Sequence, residues 1–295
     1  MTTSTTSTTS TTSARAAGEF RIGGTLPVVR LGYGAMQITG PGVWGDPADP
    51  AEAMRVLRRA VELGVNFIDT ADSYGPVVSE ELIRKALHPY PEDLVIATKA
   101  GLTRHGPSIW KPVGRPEYLR QQCEMSLRHL GLEQIPLYQL HRIDPQVPVA
   151  ESVGELKALQ QEGKIGHIGL SEISVDDLLE AQRTATIATV QNLYNLSDRS
   201  AEALLDHCGS HDIGFIPWFP LATGELSKPG GPLAEIAHQH GSSPSQLALA
   251  WLLHRSPVML PIPGTSSVEH VEENIAAAQI ELSPAEFDAL AAATS

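Results

Sequence analysis

Four residues of this chain carry side chains that together could deliver a proton to a carbonyl oxygen. In VNFIDTADSYGP (residues 65–76) an apolar run ends at Asp69 and Tyr74 follows, while Lys99 ends the run DLVIATK and His141 ends the run IPLYQLH. A phenol with a pKa of about 10 is a weak acid at pH 7, but a neighbouring ammonium lowers that pKa and a carboxylate can hold the ammonium in place. The pattern predicts Tyr74 as a general acid tuned by Lys99 and Asp69, with His141 orienting the carbonyl.

This chemistry lacks a reductant. No side chain supplies a hydride, so the four residues imply a nicotinamide cofactor. Each residue also has a structural interpretation, in which Asp69 and Lys99 form a simple ion pair and His141 is a satisfied core histidine. The set predicts a catalytic site only if the fold brings the ends of these runs together.

The elements that must position these residues alternate along the chain. Segments with apolar residues at helical spacing follow short runs that are apolar on both faces, as in parallel strands covered on both sides. Eight such strands, the first ending near Gly34, predict a (β/α)8 TIM barrel with an N-terminal β-hairpin over Gly23 and Gly24 and an extra C-terminal helix from Ser283. A doubly wound sheet is the alternative, but GYGAMQ lacks the third glycine of its fingerprint.

The domain organisation follows from composition. Residues 1–18 are rich in Thr and Ser and predict a disordered tail, and residues 19–295 predict a single barrel domain. A transit peptide is the other interpretation of the tail, which is hydroxyl-rich and acid-poor but has Arg15 as its one basic residue.

Charge and cysteine content exclude several classes of function. The formal net charge is −13, which repels phosphate backbones, so we expect no nucleic-acid partner. No apolar stretch is long enough to span a bilayer. Cys123 and Cys208 are the two cysteines, which fits a reducing cytoplasm and gives no cysteine zinc site. No segment indicates an oligomeric interface.

The motifs DTADSYG, ATK and YQLHRID resemble those of the aldo/keto reductase family, and the resemblance extends from about residue 20 to the end of the chain. It implies that Asp69, Tyr74, Lys99 and His141 form a catalytic tetrad. It also implies a small-molecule carbonyl substrate and NADPH as the cofactor, with NADH open.

The same resemblance implies a set of cofactor-binding residues. Ser171 and Gln191 would hold the nicotinamide carboxamide, Trp218 would stack on the ring, Phe219 and Leu221 would lie over the pyrophosphate, Gly264, Thr265, Ser266 and His270 would contact the adenosine phosphate, and Asn274 would contact the adenine. The start of the helix over residues 268–277 would attract an anion there. A capping box of Ser266 with Glu269 is the structural alternative.

Two departures from the family pattern affect the cofactor. Glu172 stands where the family often has Asn, which puts one carboxamide contact in question. Gly264 and His270 stand where many members have Lys and Arg to bind the 2′-phosphate of NADPH, and Glu272 lies nearby. We therefore expect NADPH to bind without the basic side chains that usually contact its 2′-phosphate.

The predicted substrate pocket is aromatic. Its walls should include Met36, Trp44 and Trp110, and indole faces suit a flat or apolar carbonyl compound. The stretches RLGYGAMQITGPGVWG, HPYPEDLVIATK and LAWLLHRSP are similar to the bacterial pyridoxal-reductase-like group, which makes pyridoxal a candidate substrate. The loop over residues 101–115 contains glycines and prolines consistent with a movable cover.

Two rival functions stay open. The same family fold serves as a nicotinamide-nucleotide-sensing subunit of membrane channels, so a binding module with little turnover is the first rival. A metal enzyme is the second, since His207 and His211 are four residues apart, but Gly209 and Ser210 lie where their helix should end. We predict no metal site.

Overall fold

The computed structural model describes residues 12–221 and 232–292. Its strands are β1 (Glu19–Ile22), β2 (Leu26–Val29), β3 (Tyr33–Gly34), β4 (Phe67–Asp69), β5 (Val95–Ala100), β6 (Leu102–Gly106), β7 (Ile109–Pro112), β8 (Ile135–Leu140), β9 (Ile165–Ser171), β10 (Thr189–Leu193) and β11 (Gly214–Trp218). Seven of them form one parallel sheet in the order β11-β10-β9-β8-β5-β4-β3. The predicted barrel is confirmed, with one difference at its seam.

The seam is closed by the segment over residues 258–263, predicted as the eighth strand. On one side the Leu260 N–H donates to the Phe215 carbonyl at 2.8 Å. On the other side the Gly32 N–H donates to the Pro261 carbonyl at 2.9 Å, and the Gly34 N–H to the Pro263 carbonyl at 3.4 Å. The two prolines have no N–H to donate, so on the β3 side this segment completes the barrel through its carbonyls and does not form a regular strand.

Helices follow the strands of the barrel as predicted. They are α1 (Pro50–Glu62), α2 (Val78–Leu87), α3 (Pro116–Leu130), α4 (Val149–Gln161), α5 (Val175–Gln182), α6 (Glu202–Ser210), α7 (Pro232–Gln239), α8 (Pro244–Arg255), α9 (Val268–Ala276) and α10 (Pro284–Ala292). In α1, Asp49 caps the first turn by accepting from the Glu52 N–H, and the apolar face of Ala53, Val56 and Leu57 is buried.

The two ends of the barrel are closed differently. At the N-terminal end, β1 and β2 form the predicted hairpin, with Gly23 and Gly24 both at positive φ. Its buried Ile22 and Val28 join the apolar cluster that fills the barrel, together with Phe67. The hairpin therefore seals the end opposite the predicted site.

At the C-terminal end, the segment expected to be a movable cover is an ordered hairpin. Strands β6 and β7 pair in antiparallel fashion, and Arg104 ties them to the neighbouring loops. Its guanidinium donates to the carbonyls of Val43 at 2.6 Å, Ser73 at 2.7 Å and Gly42 at 2.8 Å. These part-buried, charge-assisted hydrogen bonds hold the hairpin against the neighbouring loops, and its movement as a cover stays a prediction.

The predicted tail extends too far. Residues 1–11 lie outside the described residues, but Ala14 is fully buried and its N–H donates to the Leu63 carbonyl at 2.8 Å. Arg15 also pairs with Asp93 at 2.8 Å. The end of the predicted tail is thus packed against the barrel.

Among the described helices, none has the length and apolar character needed to cross a bilayer.

Candidate active site

Asp69 and Lys99 form a buried ion pair at the C-terminal ends of β4 and β5. The Lys99 Nζ donates to the Asp69 Oδ2 at 2.6 Å, and their side chains are 0% and 2% exposed. The other carboxylate oxygen, Oδ1, accepts from the amides of Gln139 at 3.0 Å and Gln191 at 2.9 Å. Burial lowers the pKa of Lys99, but Asp69 and Tyr74 together raise it above its ordinary value. Lys99 is therefore an ammonium at neutral pH.

Tyr74 joins this pair from the loop after β4. Its hydroxyl lies 3.3 Å from the Lys99 Nζ, and its ring meets the rings of His141 and Trp110 edge-on at centroid distances of 5.8 and 6.3 Å. The side chain is buried, so burial raises the pKa of Tyr74 by more than the Lys99 ammonium lowers it. The expected net lowering of this pKa is wrong. The phenol stays protonated at pH 7, which keeps a proton available.

His141 follows β8 and completes the tetrad. Burial lowers the pKa of His141 well below its ordinary value, and the charges of Lys99 and Arg142 lower it further. Its Nδ1 lies 3.3 Å from the Ser73 hydroxyl. At neutral pH the ring is therefore an uncharged imidazole, with one nitrogen held by a serine.

A second buried carboxyl, Asp72, lies beside the tetrad without a hydrogen bond of good geometry on either oxygen. Burial raises the pKa of Asp72 well above its ordinary value, and Glu80 raises it further, while Ser73 and Lys99 lower it by less. Because the pKa of Asp72 is higher in the folded than in the unfolded state, ionisation of Asp72 favours unfolding. The protein is therefore most stable below the pKa of Asp72 in the unfolded state, and it loses stability as the pH rises through the pKa in the folded state.

We therefore expect Asp72→Asn to be more stable than the wild type at about pH 8, by on the order of 1 kcal/mol, and to lose that advantage at about pH 5. Urea unfolding at both pH values measures the two free energies. An advantage of equal size at both pH values would show that ionisation of Asp72 is not the cause.

A cavity of about 680 Å³ opens above the tetrad. Its lining residues include Met36, Val43, Asp69, Tyr74, Leu102, Trp110, His141, Arg142, Ser171, Gln191, Trp218, Phe219, Leu221 and Gly264. Met36 and Trp110 thus lie where the sequence predicts. Trp44 does not line the cavity: it is 38% exposed and its ring lies 5.6 Å from the Arg104 guanidinium. Its predicted place in the pocket wall is therefore corrected, since the ring lies beside Arg104 and is partly exposed to solvent.

The residues predicted to hold a nicotinamide lie together on one side of this cavity. Ser171 ends β9 and Gln191 lies in β10, while Trp218 ends β11. Phe219 follows at positive φ and is 42% exposed. The rest of the predicted pyrophosphate loop, after Leu221, lies outside the described residues.

Glu172 has a contact that the sequence did not reveal. Its Oε1 accepts from the indole N–H of Trp218 and from the backbone N–H of Leu193, the latter at 2.7 Å. Glu172 also has a positive φ. Where the family pattern often has Asn, this chain uses a carboxylate to fix the orientation of the Trp218 ring.

The predicted adenosine end lies at the start of α9. Thr265 and Asn274 are buried, whereas Ser266 and His270 are exposed. The helix cap is Ser267, which accepts from the His270 N–H at 3.5 Å, so the suggested capping box of Ser266 with Glu269 is wrong by one residue. The first-turn N–H of Val268 donates to the Glu52 carboxylate at 3.3 Å.

Sequence reasoning missed Gln139, Arg142 and Glu172. A signal existed for Gln139, because side chains alternate along a strand and Gln139 shares the inward face of β8 with Leu137. No pattern in the sequence indicated the contact of Arg142 with Ser171 or those of Glu172 with Leu193 and Trp218, because these contacts join different strands.

The two histidines considered for zinc lie at the end of α6. The rings of His207 and His211 stack with centroids 4.2 Å apart and planes 20° apart. Stacked rings do not aim their nitrogens at one point, and the described residues contain no group of three or more His, Cys, Asp or Glu side chains that could hold a metal.

Comparisons with known proteins agree with the resemblance. Residues 30–294 match the family model of the aldo/keto reductase family. The chain is 52% identical over 274 residues to an uncharacterised oxidoreductase of Schizosaccharomyces pombe, which covers 93% of this chain and 89% of that one. It is 44% identical over 266 residues to pyridoxine 4-dehydrogenase of Escherichia coli, covering 88% and 93%.

Solved structures share the fold. Glycerol dehydrogenase of Gluconobacter oxydans superposes with a TM-score of 0.85 at 28% identity, over 93% of this chain and 94% of that one. An aldo-keto reductase of Klebsiella pneumoniae in complex with NADPH superposes with a TM-score of 0.80 at 29% identity, over 92% and 93%.

Proposed function

The chain belongs to the aldo/keto reductase family. On that premise we propose that it is an NADPH-dependent oxidoreductase that reduces a small aldehyde or ketone, with the Tyr74 hydroxyl as the proton donor. The observation that carries the proposal is the buried Lys99 ammonium, which contacts both Asp69 and the Tyr74 hydroxyl. Asp69 thus holds the Lys99 ammonium, and the ammonium in turn contacts the hydroxyl of the general acid Tyr74.

Each of the four residues has a distinct role in the proposed reaction. The neutral Tyr74 donates its proton to the carbonyl oxygen, and the Lys99 ammonium stabilises the phenolate that remains. Asp69 holds that ammonium and is itself held by two glutamine amides. His141 is uncharged, and in the tautomer whose Nδ1 accepts from the Ser73 hydroxyl the proton lies on Nε2, which would donate to the same carbonyl oxygen.

The described residues fit a nicotinamide nucleotide. Ser171 and Gln191 offer a hydroxyl and an amide on the cavity wall, and Trp218 offers a ring whose orientation Glu172 fixes. NADPH, when bound, supplies the hydride. The similarity to the NADPH-bound structure from Klebsiella pneumoniae supports this cofactor.

Pyridoxal is the first substrate to test, because of the 44% identity to pyridoxine 4-dehydrogenase. The apolar side chains of Met36, Leu102 and Trp110 in the cavity lining suit a flat ring. A cytoplasmic location is part of the proposal, because Cys123 and Cys208 are both free and buried. Loss of reduced-nicotinamide absorbance with pyridoxal, a nitrobenzaldehyde and cyclic ketones tests the function. Tight NADPH binding without turnover of any carbonyl would favour the sensing module instead.

Glu172 gives a prediction about cofactor affinity. We expect Glu172→Ala to raise the Kd for NADPH about tenfold, because Trp218 loses the acceptor that fixes its ring. Glu172→Gln, whose amide oxygen can still accept, should stay close to the wild type. Quenching of tryptophan fluorescence by NADPH measures both, and an unchanged Kd in the Ala variant would refute this role.

Glu52 gives a prediction about the choice between NADPH and NADH. Its carboxylate accepts a hydrogen bond from the first-turn N–H of α9. A negative charge at this position opposes the attraction between the helix dipole and the 2′-phosphate of NADPH. We expect Glu52→Gln to increase the ratio of NADPH to NADH affinity about threefold at low salt. Glu62→Gln, the same charge change at the other end of α1, is the control. A ratio that rises equally in both variants would indicate a general charge effect.

A further inference from the structure

Arg142 presents unused hydrogen-bond donors to the cavity. It follows His141 directly and lines the cavity. Its Nη1 donates to the His141 carbonyl at 2.6 Å and to the Ser171 hydroxyl at 3.1 Å. A guanidinium has five N–H groups, and in the described part of the chain its Nε and Nη2 have no acceptor. The role assigned to the tetrad does not use these donors.

The charge of Arg142 is also uncompensated at close range. No carboxylate of the described residues forms an ion pair with it, and Glu172, whose Oε1 already accepts two hydrogen bonds, acts on it only through longer-range attraction. Asp69, the one carboxylate among the described residues that line the cavity, is bound by Lys99. Arg142 is therefore a cation, partly withdrawn from water, with donors left for a bound molecule.

Arg142 lies close to the reacting groups. It follows His141 in the chain, contacts the His141 carbonyl at 2.6 Å, and lines the same cavity as Tyr74 and His141, the two groups that would meet the carbonyl oxygen. A ligand oxygen bound by Arg142 would thus be a near neighbour of the carbonyl. The lining of the cavity also includes the apolar side chains of Trp110 and Leu102, which suit a planar ring.

We propose that Arg142 forms an oxyanion subsite that selects aromatic aldehydes with an ionisable hydroxyl on the ring carbon next to the formyl group. The inference rests on the proposed reductase function and specifies its substrate class. The phenolate oxygen would accept from the free N–H groups of the guanidinium, and the ring would pack on the apolar wall. Arg142 is then a specificity-determining residue, distinct from a residue that only positions Ser171.

The test compares 2-hydroxybenzaldehyde with 4-hydroxybenzaldehyde. Both isomers carry the same electron-donating hydroxyl group, so the ratio of their kcat/KM values reports the effect of the position of that hydroxyl on the ring. We expect the wild type to prefer the 2-isomer about tenfold or more, and Arg142→Met to bring the ratio close to one. Arg142→Lys should keep part of the preference. Arg183→Met is the matched control, because Arg183 is exposed and does not line the cavity, and its ratio should stay as in the wild type.

A purely structural Arg142 gives a different result. In that case Arg142→Met would slow both isomers equally and leave the ratio unchanged, which would overturn the proposal, as would a wild type without preference. Calorimetric titration of the NADP⁺-loaded protein with both aldehydes measures the subsite without turnover. Preferential binding of the 2-isomer that Arg142→Met abolishes would support the subsite even if no aldehyde were reduced, and equal binding would refute it.

Discussion

Tyr74→Phe is expected to lower kcat for carbonyl reduction by a factor of about 100 to 10,000. The substitution removes the hydroxyl that lies 3.3 Å from the Lys99 Nζ and keeps the ring that packs edge-on against Trp110 and His141. The loss should therefore fall on proton transfer and leave the shape of the cavity intact. Steady-state reduction of pyridoxal or a nitrobenzaldehyde with NADPH measures the effect.

The control for this variant is cofactor binding. Because Tyr74 is not among the residues predicted to hold the nucleotide, the Kd of the Phe variant for NADPH should match that of the wild type. If carbonyl turnover were unchanged in Tyr74→Phe, the assignment of the general acid would be wrong.

Lys99→Met is expected to remove activity and to lower the free energy of unfolding by about 3–5 kcal/mol. The ammonium is fully buried and donates to Asp69, to the Thr70 carbonyl and to the Tyr74 hydroxyl. Without it, the Asp69 carboxylate is left buried with only the neutral amides of Gln139 and Gln191 as partners. Urea unfolding at neutral pH measures the loss.

A double variant separates stability from catalysis. Asp69→Asn combined with Lys99→Met removes both charges, so we expect it to recover a large part of the lost stability and none of the activity. If the double variant were as unstable as Lys99→Met alone, the unpaired carboxylate would not be the source of the loss. If it were active, the ammonium would not be needed to stabilise the phenolate.

The sequence by itself determined the elements and the tetrad. Strand and helix periods are local properties, so the runs ending at Asp69, Lys99 and His141 could be recognised without knowing their neighbours. A parallel barrel then brings the C-terminal ends of its strands to one mouth, which is why four residues spread over about a quarter of the chain could be predicted to meet.

Only the tertiary structure decided how these groups are tuned and held. The net pKa of Tyr74 depends on how completely Trp110 and His141 enclose it, and sequence cannot weigh that burial against the charge of Lys99. The contacts of Glu172 with Trp218 and of Arg104 with the loop carbonyls join segments distant along the chain. Such contacts depend on distances between different strands and loops. The local pattern of a single segment carries no information about those distances, because it reflects only which face of that segment is buried.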